Sequence, residues 1–183
     1  MAEERLLSQL PRFPMPREAV AEGQAERAPA RLRVDGLVRT PLALALAQVL
    51  ALPVAEFTAD FACEEGWRVP GLRWTGTRLA DVLRQAGPLA AARYVAVGAG
   101  AFVSVLPLAQ IGGEGPLLAY ELDGAPLPRE HGGPLRLIAS WTACYQSVKW
   151  VDHLELVADE RLETAKPIAL GRIGAPAKPA PQP

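Results

Sequence analysis

Cysteine is scarce in this 183-residue chain, which holds only two, Cys63 and Cys144. Two thiols so far apart in sequence exclude a disulfide scaffold and a four-cysteine zinc site. An excess of charge of one sign is lacking as well. The formal net charge is -1, so the composition gives no electrostatic reason to expect nucleic acid or an anionic membrane as a partner.

Long apolar runs are also absent, since none approaches the roughly 20 residues that a membrane-spanning helix needs. The longest candidate, Leu42 to Leu52, is interrupted by Gln48 and closed by Pro53. A secretion signal is not seen either, because Met1 to Arg5 carries two glutamates and no apolar core precedes Pro11. We therefore expect a cytoplasmic protein without a membrane span, and a periplasmic one only if an export signal has been removed.

Composition divides the chain into three parts. Residues 1–30 are rich in Pro, Ala, Glu and Arg and predict an extended arm, whereas residues 158–183 are rich in Pro and Ala and predict a disordered tail. The folded domain spans residues 31–157. Its strand-like segments outnumber its short helical ones and no sustained βαβ rhythm occurs, so we predict an α+β fold with a mostly β core and short helices.

Local signals predict the individual elements of this domain. Thr40 and Pro41 are typical of a helix start, Gly87 is typical of a helix end, and Asp123-Gly124 favours the positive φ angles of a tight hairpin. The predicted elements are helices over Leu42–Leu52 and Arg78–Ala86, strands over Arg31–Gly36, Val54–Ala62, Tyr94–Val97, Phe102–Leu106, Leu135–Ala139 and Val148–Val157, and a hairpin over Leu117–Leu127.

Cys63 is the most informative residue of the sequence. It ends a strand-like stretch and opens the segment Cys63-Glu64-Glu65-Gly66-Trp67, a setting that a purely structural cysteine would not need. From these neighbours alone, three roles stay open for the thiol: a nucleophile, a redox group, or a single protein ligand to a metal held mainly by something else. Trp74-Thr75-Gly76 follows and, with Gly66-Trp67, indicates a partly apolar pocket wall.

Two later segments carry groups that bind anions. His131-Gly132-Gly133-Pro134-Leu135-Arg136 is a loop of small residues between a histidine and an arginine, and arginine is suited to bidentate phosphate binding. Ser147 and Lys149 are predicted to share one face of a strand, where they offer a hydroxyl and an ammonium group. Each segment alone is compatible with an ordinary surface loop or strand, but together they predict an anion cradle.

The order of these segments is more specific than any one of them. A thiol in a Glu/Gly/Trp turn, then Trp-x-Gly, then His-Gly-x-Pro-x-Arg, then Ser-x-Lys-Trp resembles the molybdopterin-binding domain of the sulfite oxidase family. The closest resemblance is to the bacterial branch that includes the catalytic subunit of protein-methionine-sulfoxide reductase. It covers about Arg31 to Val157, including Arg31–Val38 and Leu118–Leu127.

The resemblance implies a molybdopterin cofactor with molybdenum, for which Cys63 is the thiolate ligand and Glu65 a carboxylate beside the metal. It also implies that four residues hold the pterin and its phosphate, namely His131, Arg136, Ser147 and Lys149. The implied activity is two-electron oxygen-atom transfer on a small oxyanion or an S- or N-oxide. A separate electron-transfer partner is implied as well, because the sequence contains no haem-binding segment.

Two alternatives to this enzyme remain. A degenerate molybdopterin-binding module that serves a partner protein without turnover is favoured by Ala158 to Pro183, which lacks the aromatic residues that relatives carry there. A thiol enzyme without metal would need a base, for which His131 is the candidate. Cys144 is interpreted as a small buried hydrophobic residue rather than as a second redox thiol.

Overall fold

The structure, a computed structural model, describes residues 31–62, 68–139 and 142–173. In this part the chain forms two five-stranded β-sheets and three short helices. The strands are β1 Leu32–Gly36, β2 Leu42–Leu44, β3 Val54–Ala62, β4 Arg68–Arg78, β5 Tyr94–Ala99, β6 Phe102–Pro107, β7 Leu117–Leu122, β8 Ala125–Pro126, β9 Arg136–Ile138 and β10 His153–Val157. The helices are α1 Leu46–Leu50, α2 Leu79–Ala86 and α3 Ala165–Ile173.

The first sheet has the strand order β2-β1-β10-β5-β6. Its central pair, β1 and β10, runs parallel, and its other pairs run antiparallel. Side chains alternate between the two faces of a strand, so Val34 and Leu154 enter the core while Asp35 and Glu155, which are also paired, lie on the outer face. The first and last strands of the predicted domain thus meet side by side.

The main core lies between the first sheet, α2 and one face of the second sheet. Helix α2 forms as predicted because Leu79, Val82, Leu83 and Ala86 recur at helical spacing and are all buried. Gly87 ends the helix at a φ of 66°, a left-handed conformation that glycine adopts without steric cost. The apolar face of α2 thus packs against the same core as the inner face of the first sheet.

The second sheet has the order β3-β4-β7, with β8 and β9 both paired to the far edge of β7. Its central strand alternates between two clusters: Leu118 packs into the main core, whereas Leu117 and Ala119 pack into a smaller cluster on the opposite face. Arg136 pairs with Ala119 and so lies on the face of the smaller cluster. That face also carries Trp74.

Several predicted elements are confirmed. The Asp123-Gly124 turn joins β7 to β8 with φ angles of 53° and 83°, and the hairpin of β5 and β6 lies where the sequence indicated. The mostly β core with short helices is the predicted α+β architecture. Among the described residues, none of the helices has the length and apolar character required to cross a bilayer.

Three predictions about elements are wrong. The Leu42–Leu52 segment is not one helix starting at Thr40: its first residues form β2, which pairs with β1, and α1 begins only after Ala45. The Val148–Val157 segment is a strand only from His153 onward. The described part of the expected tail is not without structure, because it contains α3, whose first residue Ala165 is fully buried.

Candidate functional site

Arg136 is a buried cation at the start of β9. Only 4% of the residue is exposed, and its guanidinium lies 4.8 Å from the centre of the Phe61 ring and 5.4 Å from that of Trp74. Its Nη1 donates a hydrogen bond of 2.9 Å to the backbone oxygen of His131. Burial lowers the pKa of Arg136 to about 10. Its Nε has no hydrogen-bond partner among the described residues.

The loop before β9 is clasped to the segment before β10. Trp150 donates its backbone N–H to the oxygen of Gly132 over 3.1 Å and its indole Nε1 to the oxygen of Arg129 over 2.7 Å. Lys149 Nζ donates to the oxygen of Glu130 over 2.7 Å. These three bonds hold the predicted His131–Arg136 loop and the predicted Ser147–Lys149 pair against each other, as the anion cradle requires.

Close backbone approach makes this clasp possible. A Cβ on Gly132 would lie 2.9 Å from the Cβ of Lys149, and the φ of Gly132 is 105°, which other residues rarely adopt. Trp150 also has a positive φ, 57°, in a non-glycine residue. Such strained backbone is held by the surrounding bonds and occurs preferentially at functional sites.

Lys149 places a second cation near Arg136. Burial lowers the pKa of Lys149 to about 7; the charge of Arg136 lowers it further and that of Glu130 opposes the shift. The described structure therefore holds two cationic groups close enough to disfavour each other's charge. A bound anion would relieve this repulsion and would favour the protonated amine.

The other predicted cradle residues lie in the same neighbourhood. The residue His131 is 4% exposed and ends a single 3-10 turn, Arg129–His131. Ser147 is buried, with its Oγ at the long distance of 3.5 Å from the amide nitrogen of Ala139. Ser147 and Lys149 do not share a face of a strand as predicted, because residues 147–152 form a loop. The loop still brings both residues to the cradle, since Leu137 N–H bonds the oxygen of Val148.

The sequence argument missed two contributions. Phe61 was predicted only as part of the strand Val54–Ala62. Its ring and the ring of Trp74 are the two aromatic faces that contact the guanidinium of Arg136. Cys144, expected to be a buried hydrophobic residue, is half-buried in the 3-10 turn Cys144–Gln146. An alternating pattern in β3 could have indicated Phe61, but only the sheet pairing brings it to Arg136.

Cys63 and Glu65 lie outside the described residues, as do Gly66, Trp67 and Trp141. Residues 63–67 connect Ala62 to Arg68, which are paired at the end of the β3–β4 ladder. Asp60 interrupts this ladder with an irregularity between Ala59 and Phe61, and its Oδ1 accepts a bond of 2.8 Å from Gly71 N–H.

Asp60 shapes the end of this hairpin. Its carboxylate also pairs with Arg68. The bond from the Gly71 N–H, followed by that from Arg68, keeps the pKa of Asp60 below its ordinary value. Irregularities of this kind bend a strand and redirect the side chains that follow. Asp60 thus fixes the two strand ends between which the sequence places Cys63.

Comparison with known proteins decides the family. Residues 20–165 match the family described as "Oxidoreductase molybdopterin binding domain". The chain belongs to this family. The match covers most of the sequence and both strands of the central parallel pair, and it confirms the resemblance to molybdopterin oxidoreductases drawn from the ordered motifs.

Individual relatives agree with this assignment. The chain is 35% identical over 129 residues to "Uncharacterized oxidoreductase YuiH" of Bacillus subtilis, covering 70% of this chain and 65% of the relative. It is 30% identical to the sulfite oxidase of Arabidopsis thaliana, over 69% of this chain and 42% of the relative. It is also 30% identical to the protein-methionine-sulfoxide reductase catalytic subunit MsrP of Xanthomonas campestris, over 75% and 47%. The chain thus spans only part of each relative's length.

A solved structure confirms the predicted fold class. The chain superposes on the sulfane dehydrogenase SoxCD from Paracoccus pantotrophus with a TM-score of 0.65 at 24% sequence identity, over 70% of this chain and 38% of that one. The shared architecture is the mostly β core with few short helices of the sulfite-oxidase-type molybdopterin fold.

The described residues fit the group that the family name implies. A phosphate-bearing pterin needs buried cationic and hydrogen-bonding donors, and Arg136 offers an Nε without a partner among the described residues. Lys149 lies near Arg136, and His131 and Ser147 are buried in the same neighbourhood. This donor set suits an anion rather than a metal ion, so any metal would be held by groups other than these four.

Proposed function

We propose that this protein is a molybdopterin-dependent oxidoreductase that transfers an oxygen atom to or from a small oxyanion or an S- or N-oxide. The observation that carries the proposal is the buried guanidinium of Arg136, whose Nε lacks a partner among the described residues, beside the clasped loop of Lys149. A buried donor without a partner is costly in free energy unless a ligand satisfies it. Membership of the molybdopterin-binding family identifies the class of that ligand.

The residues divide into two groups in this proposal. His131, Arg136, Ser147 and Lys149 hold the pterin and its phosphate, with Arg136 fixed in place by the rings of Phe61 and Trp74. Cys63 supplies a thiolate to molybdenum, and Glu65 orients groups beside the metal or moves protons there. When bound, such a cofactor supplies two-electron oxygen-atom transfer, and the protein supplies orientation and electrostatics.

The hairpin geometry supports the role of Cys63. Phe61, whose ring faces Arg136, precedes Cys63 by two residues, and Asp60 and Arg68 hold the two strand ends together. The described strand that leads to Cys63 therefore also supports the arginine that we propose to bind the phosphate. Soft sulfur ligands suit molybdenum held by a pterin dithiolene.

The names of the relatives suggest which substrate class and which kind of electron partner this proposal should include. The printed names of the relatives include a sulfite oxidase and a protein-methionine-sulfoxide reductase subunit, so an oxyanion or a sulfoxide of sulfur is the first substrate class to test. A separate protein would deliver or accept the electrons, in line with the printed description of one relative as a catalytic subunit.

The substitution Cys63→Ser tests this division of roles. We expect it to abolish turnover of sulfite and of methionine sulfoxide while leaving the pterin bound, because the phosphate contacts lie on β9 and the loop before β10. Cys144→Ser is the matched control and should keep both the pterin and turnover. Loss of the pterin together with activity in Cys63→Ser would contradict the division.

A second candidate is a molybdopterin-binding module that serves a partner without turnover. It requires only the cradle, whose contacts at Arg136 and Lys149 the structure describes, and none of the groups proposed at the metal. Steady-state assays with sulfite, methionine sulfoxide and other S- and N-oxides, using artificial electron donors and acceptors, separate the two candidates. Bound molybdenum without any turnover would favour the module.

A further inference from the structure

A second cluster of ligand groups lies on the outer face of the first sheet. Asp35 on β1 and His153 and Glu155 on β10 each offer one ligand atom, and these three atoms lie within 4.8 Å of one another. The cluster uses none of the residues assigned to the pterin. It is half-buried, with 25% of the His153 side chain and 40% of the Asp35 side chain exposed.

The sheet brings these three side chains together. Asp35 is paired with Glu155 across the parallel strands, and His153 precedes Glu155 by two residues, so all three point to the same face. The opposite face of the same strands is fully buried through Val34, Leu154 and Leu156. The ligand groups therefore stand on the rigid centre of a sheet rather than on a loop.

Two small, buried residues of the neighbouring strand β5 lie beside the cluster. Gly98 on β5 is paired with His153, and Ala96 with Glu155. A Cβ on Gly98 would lie 3.9 Å from the Cβ of His153 and 3.6 Å from a methyl group of Val103, in ordinary contact.

The electrostatics favour a cation at this point. Asp35 Oδ1 lies 2.8 Å from His153 Nε2, and the ligand oxygen of Glu155 is within the same cluster. Two neighbouring carboxylates repel each other, and a divalent ion between them would replace this repulsion by attraction. Arg33, which is paired with His153 on the same face, is exposed and carries a charge opposite to that of the two carboxylates.

We propose that Asp35, His153 and Glu155 form a binding site for a divalent transition-metal ion of the zinc class. One imidazole and two carboxylates are ligands that zinc, manganese and cobalt accept, with water in the remaining position. Zinc holds such atoms at about 2.0–2.2 Å, which sets them about 3.3 Å apart in a tetrahedron. The side chains of the observed cluster would have to draw closer together to reach that geometry, and the partial exposure of Asp35 and His153 leaves them able to rotate.

Such an ion would join the first strand of the domain to its last. A metal that bridges β1 and β10 only in the folded chain would stabilise the folded state, increasingly so as the free metal concentration exceeds the dissociation constant. This role is independent of turnover at the molybdopterin site. Its failure would leave the proposed function untouched.

Titration of the full chain with Co²⁺, followed by displacement with Zn²⁺, tests the proposal. We expect saturable one-to-one binding of Co²⁺. The absorption spectrum of the complex should lack the near-ultraviolet charge-transfer band of a thiolate ligand, which distinguishes this cluster from a site at Cys63 or Cys144. Zn²⁺ should also raise the midpoint of thermal unfolding.

Two variants and one control give the test its specificity. Loss of an outer-shell partner already weakens metal binding about 10- to 100-fold, so His153→Ala and the isosteric Glu155→Gln should each weaken it at least about tenfold. Glu56→Gln removes an exposed carboxylate on β3 of the other sheet and should leave binding unchanged. Absence of saturable binding, a thiolate band, or equal binding in all variants would overturn the site and leave an ordinary surface ion pair.

Discussion

The guanidinium of Arg136 lies 4.8 Å from the centre of the Phe61 ring. This contact joins the phosphate-binding end of the proposed cradle to the strand that leads into Cys63. An arginine over an aromatic ring gains cation–π attraction, which is stronger when both groups are removed from water. Trp74 contributes the second ring, so the arginine is fixed by aromatic faces while its Nε keeps no partner in the described part of the chain.

The substitution Arg136→Met should weaken pterin binding without destabilising the folded apoprotein. Burial disfavours the charged guanidinium of Arg136, so we expect the apoprotein with an apolar side chain of similar length there to unfold at the same or higher denaturant concentration. A hydrogen bond to a charged group contributes about 1.5–3 kcal/mol, so pterin binding should weaken about 10- to 100-fold.

Chemical denaturation and pterin content measure these two effects of Arg136→Met. Arg84→Met, which removes an exposed arginine of α2, should keep the pterin and serves as the control. A variant that loses stability strongly while keeping the pterin would show that Arg136 is structural.

Gly132→Ala should damage the clasp between the two cradle segments. The added Cβ would lie 2.9 Å from that of Lys149, at a φ of 105° that alanine rarely adopts. Strain of this kind costs about 1–3 kcal/mol, and the variant should unfold at correspondingly lower denaturant concentration. Gly112→Ala is the matched control, because a Cβ there meets nothing within 4 Å and no positive φ is required. Equal stability of the two variants would contradict the close approach.

Lys149 should make the stability of the apoprotein depend on pH. Its pKa is about 7 in the folded chain against an ordinary value of 10.5. Between these values the unfolded chain binds the additional proton, so the free energy of unfolding rises with pH across this window. Lys149→Met should flatten that rise relative to the unsubstituted chain, as measured by denaturation at several pH values within this window.

The matched control is Lys166→Met, which removes an exposed lysine of α3. This variant should leave the slope of stability against pH as it is in the unsubstituted chain. An identical slope in Lys149→Met would show that burial does not depress the Lys149 pKa.

Asp60→Ala should loosen the β3–β4 hairpin near the connection that carries Cys63. The Gly71 amide would lose its acceptor 2.8 Å away. A net bond energy of about 0.5–1.5 kcal/mol corresponds to about 2- to 10-fold faster hydrogen exchange at this amide. Glu56→Ala, on the same strand, removes only an exposed carboxylate 4.0 Å from Arg73 and should leave the exchange of Gly71 unchanged. Unaltered exchange in Asp60→Ala would mean that this contact does not order the hairpin.

Elements with local signals were predictable from the sequence. Gly87 after a helical apolar face and Asp123-Gly124 between two strand-like runs specify their structures within a few residues of chain. The order of the motifs likewise identified the family, because the segments that begin at Cys63, His131 and Ser147 can be recognised in the sequence without knowledge of the fold.

Elements that depend on distant partners were not predictable. Leu42 to Leu44 joins β1 as a strand because Val34 lies opposite Leu42, although the run that contains it has helical character. Ser147 and Lys149 lie in a loop because Trp150 bonds back to Gly132 at a positive φ. The parallel pairing of β1 with β10 joins the two ends of the domain and creates the Asp35–His153 contact. Neither could be predicted, because no short stretch of the sequence specifies which distant strand β1 pairs with.

Joint molybdenum and pterin analysis of the purified protein tests the proposed function most directly. The chain would be produced in a host that makes the cofactor, alongside Arg136→Met. We predict molybdenum and pterin in equimolar amounts with the unsubstituted chain, and a strong loss of both in the variant. A well-folded, unsubstituted chain that carries neither molybdenum nor pterin would contradict the proposal.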